Sequence, residues 1–213
     1  GSTEQTFLEL MKALTSERAH FRELLKSSNG AQGLTAKVAR ALNLDPDITT
    51  ENHLTEALRD ENFNAEGIMD LGKALMGGTP SEQERGHFLT EFMAMDFEAR
   101  IGLFEKYKTV FVTYKQKEKV FSGKAISKIA TKKTLKNNST LLDTITFEQN
   151  RLLSIVEKLG LITVTENTGA MIQLAESILK NYDQEKDRGG YLDYADLILK
   201  TDKLLKREGI APW

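Results

Sequence analysis

Two neighbouring stretches decide the fold class: Ser139–Leu159, "STLLDTITFEQNRLLSIVEKL", and Thr163–Lys186, "TVTENTGAMIQLAESILKNYDQEK". In the first, Leu142, Ile145, Leu152, Val156 and Leu159 recur at steps of three, four and seven residues. That spacing stacks side chains on one face of an α-helix. In the second, Met171, Leu174, Ile178 and Tyr182 do the same. Neither stretch contains proline, and Gly189-Gly190 supplies the stop. Both therefore read as long amphipathic helices.

Working outward toward the N-terminus, the chain reads as shorter helices with clear punctuation. Phe7, Leu8, Met11 and Leu14 share a face, and Phe21, Leu24 and Leu25 share the next, stopped by Ser27-Ser28-Asn29-Gly30. Leu34, Val38 and Leu42 follow, ended by Asn43 and Asp45-Pro46-Asp47. Thr50 is placed to cap a helix carrying Leu54 and Leu58. Ile68, Leu71 and Leu75 form another stripe, closed by Gly77-Gly78. Thr79 and Glu82 then have capping-box spacing ahead of Phe88, Phe92 and Met95, and Ile101, Phe104 and Tyr107 make one more face. The texture changes only between Val110 and Ser122, where "VFVTY" and "VF" flank the charged "KQKEK" and predict two short strands around a turn. Ala125–Lys136 returns to a basic helical pattern. The expected fold is all-α, with many helices and one small β-hairpin near residues 110–122.

At 213 residues the chain is long enough to bury a substantial core. Its 40% apolar and 28% charged content is ordinary for a globular protein. The absence of cysteine excludes disulfides and thiolate zinc sites, and makes a cytoplasmic location the natural expectation. No apolar run approaches 18 residues. Gly1-Ser2 resembles a protease scar left by an expression tag, which suggests a piece excised from a longer protein.

Charge is unevenly distributed. Between Lys106 and Lys136 there are ten lysines and one acid, Glu118, a local net charge of +9. The whole chain carries −2, which leaves −11 on the remainder. A basic strip on an acidic body is the electrostatic footprint of a polyanion partner. Lysine in place of arginine suits phosphate contact better than base reading, because an ammonium lacks the planar fork. Candidate phosphate contacts are Lys115, Lys117, Lys119, Lys124, Lys128, Lys132, Lys133 and Lys136. Six such contacts on duplex DNA imply a log–log salt slope of about −5. Phe111, Tyr114 and Phe121 lie inside the strip and are expected to anchor the hairpin to the body, stacking on bases being the other use of such rings. A solvated lysine face without a ligand is the plain alternative.

No catalytic constellation emerges. His20, His53 and His87 lack partners at metal spacing and are expected at the surface. "FSGKAI" at Phe121–Ile126 lacks the leading glycine and the hydroxyl of a phosphate-binding loop. "DPDITTENHLTE" from Asp45 ends on Glu56 like a calcium loop, but Thr50 stands where the sixth-position glycine is needed. Ser177 and Lys180 have Ser–Lys spacing without companions. The chain by itself is expected to be no enzyme and to bind no cofactor or metal.

Three stretches carry a resemblance: "LNLDPDITTE" at Leu42–Glu51, "FVTYKQKEK" with "IATKKTLKNN" between Phe111 and Asn138, and "YLDYADLILKTDKLL" with "APW" between Tyr191 and Trp213. Together they resemble UvrD-type superfamily 1 DNA helicases, and within them the AddA-type helicase–nuclease subunits of alphaproteobacterial double-strand break repair. The resemblance loosely spans the chain from about Thr3. It implies residues 3–190 as the inserted helical 1B subdomain and 191–213 as a return helix toward the motor domain. The Walker A loop and the Walker B acids would then lie just outside the chain, and ATP and magnesium would belong to the parent helicase. The implied partners are a DNA duplex or fork held by its backbone, the rest of the helicase chain, and an AddB-type companion subunit. Asp193 and Asp196, in the last stretch, read as helix caps or lysine partners. Two further readings stay open: a protein-interaction module whose leucine-rich first half docks the companion subunit, and a structural spacer without a ligand.

Overall fold

The computed structural model describes residues 5, 8–9, 12–14, 16–135, 138–192, 197–198, 201 and 204–205. The fold is all-α with one small hairpin, as predicted. In chain order the elements are α1 Arg18–Ser27, α2 Gly30–Ala41, α3 Thr50–Ala57, a 3-10 turn Asp60–Asn62, α4 Ala65–Met76, α5 Pro80–Ala94 and α6 Phe97–Phe111. Then come β1 Val112–Lys115, β2 Val120–Gly123, α7 Ile126–Ile129, α8 Lys132–Leu135 and α9 Ser139–Gly189. Among the described residues no helix is long and apolar enough to cross a membrane. The chain divides into two compact units, Ala39–Thr165 and Gly1–Val38 with Glu166–Trp213.

The unit Ala39–Thr165 holds the main core. The α4 and α5 faces read from sequence are inside: Ile68, Leu71, Leu75, Leu89 and Phe92 are fully buried. The two helices approach closely because glycines meet at the crossing; a Cβ on Gly86 would lie 2.6 Å from the Gly72 carbonyl. Phe92 stacks on Tyr107 with centroids 4.2 Å apart, and Phe63 meets Tyr107 edge-on at 6.0 Å. Such pairs add about 0.5–1.5 kcal/mol beyond their area burial. One polar cluster is sealed into this core. The Tyr107 hydroxyl donates to Glu148 (2.8 Å), and Arg151 donates to both Glu148 oxygens and to the Ala57 carbonyl. Burial, reinforced by the Glu148 charge, holds the Tyr107 hydroxyl well above its usual range.

A smaller cluster of the same unit packs Ile162 against Ala39 and Leu44. In the other unit, Leu25 and Ala31 pack on Ile172, with Phe21, Leu34 and Val38 alongside. The α1–α2 corner turns on two positive-φ residues, Asn29 (62°) and Gly30 (89°), in the left-handed region that Asn and Gly tolerate best.

Several expectations need correction. The two long helical stretches are one helix, α9, of 51 residues. Gly160 at their junction costs about 1 kcal/mol. Burial of Ile162 beside it outweighs that, since burying such a side chain contributes about 1.5–3 kcal/mol. The buried seam of α9 also differs from the predicted stripes. Ile145, Leu152, Ile155, Ile162, Ile172 and Leu179 are buried, whereas Leu142, Met171, Leu174 and Tyr182 are exposed. The cap of α3 is Thr49, whose hydroxyl accepts from Asn52 N, not Thr50. Ala125–Lys136 forms two four-residue helices in place of one. Phe7 and Met11, Asp193 and Asp196, and most of the C-terminal stretch lie outside the described residues.

Candidate nucleic-acid interface

Helix α6 runs one turn further than the sequence suggests, through Phe111, and Val112 then turns the chain into β1. Phe111 and Val112 are both buried in the core, so the hairpin leaves the body from a fixed point. β1 and β2 pair antiparallel, Val112 opposite Gly123, Thr113 opposite Ser122, Tyr114 opposite Phe121, and Lys115 opposite Val120. Four residues, 116–119, make the turn, and Lys119 takes a positive φ of 54° there.

Two buried polar side chains fix the strip to the body. Gln149, on α9, donates through Nε2 to the carbonyls of Phe111 (2.9 Å) and Lys124 (2.6 Å), one at each foot of the hairpin. Lys124 N also donates to the Phe111 carbonyl at 2.8 Å. Glu82, in the first turn of α5, fixes the other end. One of its oxygens accepts from Thr131 N (2.6 Å) and the Thr134 hydroxyl (2.8 Å). The other accepts from Thr79 N (2.8 Å) and the Thr79 hydroxyl (2.9 Å), completing the predicted capping box. Burial alone would push this carboxyl up. The four hydrogen bonds, Thr131 N first, outweigh it and hold its pKa down at about 2. Ile129 and Ala130 are buried between these anchors, and Arg85 Nε donates to the Ile129 carbonyl.

On this scaffold the predicted lysines divide into groups. Lys115, Lys117, Lys119, Lys128, Lys132 and Lys133 are exposed, and Lys115 pairs with Glu118 at 3.2 Å. Among the described residues no hydrogen bond or ion pair engages the other five. Lys124 is held differently: it is half-buried and donates to the Thr109 carbonyl. Burial, and then the Arg85 charge, hold its ammonium below the usual lysine range. Lys136 lies outside the described residues. Two lysines of the strip that were not among the candidates also serve the body. Lys106 sits 4.5 Å above the Phe88 ring, and Lys108 pairs with Glu105 at 2.7 Å and lies 4.9 Å from the Phe121 ring.

No family model, curated protein or solved structure matches the chain.

The aromatic residues of the strip also divide. Phe111 anchors the hairpin, as expected. Tyr114 and Phe121 are not buried anchors; they form a cross-strand pair, centroids 5.0 Å apart, with Tyr114 43% and Phe121 38% exposed. They lie on the same face of the hairpin as Val112 and Gly123, two residues further from the body, where the hairpin has passed the core.

Elsewhere, His20 and His87 are exposed as expected, but His53 is half-buried. Its helix lies beside the 45–48 loop, where Asp45 accepts from Asp47 N, so the false calcium loop is an ordinary Asx turn followed by a Thr49 cap. Ser177 bonds back to the Gln173 carbonyl of its own helix. Among the described residues no group of three His, Asp or Glu is placed to hold a metal ion. Sequence reasoning missed Gln149 and Glu148. Both sit on the inner face of α9 at positions an apolar stripe passes over, and their only signal is the spacing from Ile145 and Leu152.

Proposed function

We propose that this chain is a DNA-engaging accessory module of an ATP-dependent helicase of the UvrD type, and that it grips the duplex by its phosphate backbone. One observation carries the reading: six lysines, Lys115, Lys117, Lys119, Lys128, Lys132 and Lys133, are exposed on the hairpin and the two short helices after it, a segment fixed to the body by Gln149 and Glu82. A backbone fixed in advance spares the ordering of the segment when its lysines meet phosphates, and bound counterions are released as they do. Lysine point charges grip a backbone without selecting sequence, which suits a module that must travel along DNA. The resemblance to the 1B insertion, together with the acidic remainder of the chain, supports the assignment to a helicase. ATP hydrolysis belongs in this reading to the motor domain.

The test is replacement of Lys117, Lys119, Lys132 and Lys133 by alanine. Affinity for duplex DNA is expected to fall tenfold or more at low salt, and the log–log salt slope to flatten by about 3 to 4. Unchanged affinity would remove the strip as the binding site.

A second reading has its own observation. An apolar groove of about 380 Å³, lined by Leu14, Phe21, Met171, Ile172, Leu174 and Ile178, lies open in the smaller unit. It favours a protein-docking role, as expected of a module that meets the companion subunit. Salt-insensitive capture of that subunit, abolished by Met171→Glu, would support it.

A further inference from the structure

We infer that the Tyr114–Phe121 pair is a stacking site for an unpaired nucleobase, so that the hairpin recognises the junction where single-stranded DNA leaves a duplex. The inference rests on the DNA-binding reading above and adds to it a ligand that backbone contact alone does not select.

The geometry carries it in three steps. A cross-strand aromatic pair stabilises a hairpin even when it is well covered, so pairing alone does not explain the exposure of these rings. Both rings remain more than a third exposed, whereas Phe111 and Val112 at the foot of the same hairpin are buried. The pair is tilted, at 58° between planes, so the two rings do not cover each other face to face. Lys108 lies on Phe121, so Tyr114, the more exposed ring, is the one on which a flat apolar group can settle.

Second, the charge around the rings fits a nucleotide better than a lipid or an apolar peptide. Lys115 follows Tyr114 on the other face of β1 and pairs with Glu118, and Lys117 and Lys119 follow in the turn. Lys108 Nζ lies 4.9 Å from the centre of the Phe121 ring. Lys108 is held by Glu105, so a base on the aromatic pair would have its flanking phosphates near the turn lysines that are unpaired among the described residues, Lys117 and Lys119. Tracking the backbone with lysines while stacking bases on aromatic rings is how proteins hold single strands without reading sequence.

Third, the ligand must be unpaired. Bases inside a duplex are already stacked on both faces and present only their edges in the grooves. A ring on a protein surface stacks on a base only where the strand has opened. Lysines that hold a duplex and rings that take one unpaired base, within one hairpin and turn, together describe a junction.

The experiment is a fluorescence-anisotropy titration of the full chain against three labelled probes. These are a blunt duplex, the same duplex with a short single-stranded thymidine tail, and the same tailed duplex with abasic sites in place of the thymines. The abasic tail keeps the phosphates and removes the rings. The tailed duplex is expected to bind about tenfold more tightly than the blunt one, the gain typical of stacking one base, and the abasic tail to give little of that gain. Tyr114→Leu and Phe121→Leu should each erase most of the gain while leaving blunt-duplex affinity and its salt slope unchanged. Tyr114→Phe keeps the ring and should keep the gain, which guards against a hairpin disturbed by substitution. Equal affinity for thymidine and abasic tails, or a Tyr114→Leu loss as large on the blunt duplex, would overturn the stacking site while leaving the backbone grip standing. Failure of the wild-type chain to bind any of the three probes would overturn both.

Discussion

Glu82 is the most informative single perturbation of the scaffold. Its carboxylate is 1% exposed and accepts four hydrogen bonds, two of them from the backbone N–H groups of Thr131 and Thr79. Glu82→Ala would strand the half-buried Thr131 amide, which has no other hydrogen-bond partner among the described residues, and would also remove the acceptor of the Thr134 hydroxyl and of the more exposed Thr79. An unsatisfied buried donor costs about 1–3 kcal/mol, so the loss should be about 3 kcal/mol in all. For a chain of this size that is a fall in Tm of about 6–12 °C. Glu82→Gln should lose less, because the amide keeps one carbonyl oxygen. Its NH2 would face donors on the other side, at Thr79 or at Thr131 and Thr134. The pH dependence has a definite sign. The folded pKa, about 2, lies below the unfolded value near 4.5. The stabilisation is therefore complete above pH 4.5 and is lost as pH falls from there toward 2. Urea denaturation followed by circular dichroism measures the loss at pH 7 and its decline at lower pH. Hydrogen exchange at the Thr131 amide reports the local break, with faster exchange expected in both variants. A loss under 1 kcal/mol in Glu82→Ala, or unchanged protection of Thr131, would refute the view that this carboxylate fixes the lysine-bearing turn.

Three further expectations follow from the same kind of accounting. His53 is held below its ordinary pKa of 6.5 by burial and by the Lys158 charge. The neutral form is thus favoured by folding, and the stability it contributes is full above pH 6.5 and lost as pH falls below it; His53→Gln should flatten the stability profile between pH 7 and 5, and an unchanged profile would contradict this. Gly86→Ala should cost about 1–3 kcal/mol in chemical denaturation, because its Cβ would meet the Gly72 carbonyl at 2.6 Å and Met76 N at 2.9 Å. Gly102→Ala, with nothing within 4 Å of the added methyl, should instead stabilise α6 by up to about 1 kcal/mol, and a loss there would show that propensity does not govern the site.

Much of this fold is legible because its signals are local. The Thr79–Glu82 capping box, the Gly77-Gly78 stop and the change of texture at Val110 each specify a boundary within a few residues. The hairpin emerged from "VFVTY" and "KQKEK" because strand-forming residues around a charged turn leave few alternatives. The face of α9 was misread for a physical reason. Its inner seam carries Thr144, Glu148, Gln149 and Thr165 among the aliphatic residues, while apolar Met171 and Leu174 lie on the outside. A periodicity count places large apolar residues inwards, and this helix departs from that in both directions. Thr144 and Thr165 bond back to carbonyls of their own helix and Glu148 also takes Arg151, but Tyr107 for Glu148 and the Phe111 carbonyl for Gln149 are partners far along the chain. Nothing near them in sequence announces those contacts. The lysine strip was visible as composition, but composition does not separate lysines that line a surface from those that hold the structure. Lys124 on the Thr109 carbonyl and Lys108 against Glu105 needed the fold to be told apart from Lys117 and Lys132.

The grip on DNA backbone is tested most directly by titrating the chain against a labelled forked duplex over a series of salt concentrations. Six exposed lysines predict binding in the micromolar range at low salt and a log–log slope of about −5. No binding at low salt, or an affinity that salt does not change, would contradict it.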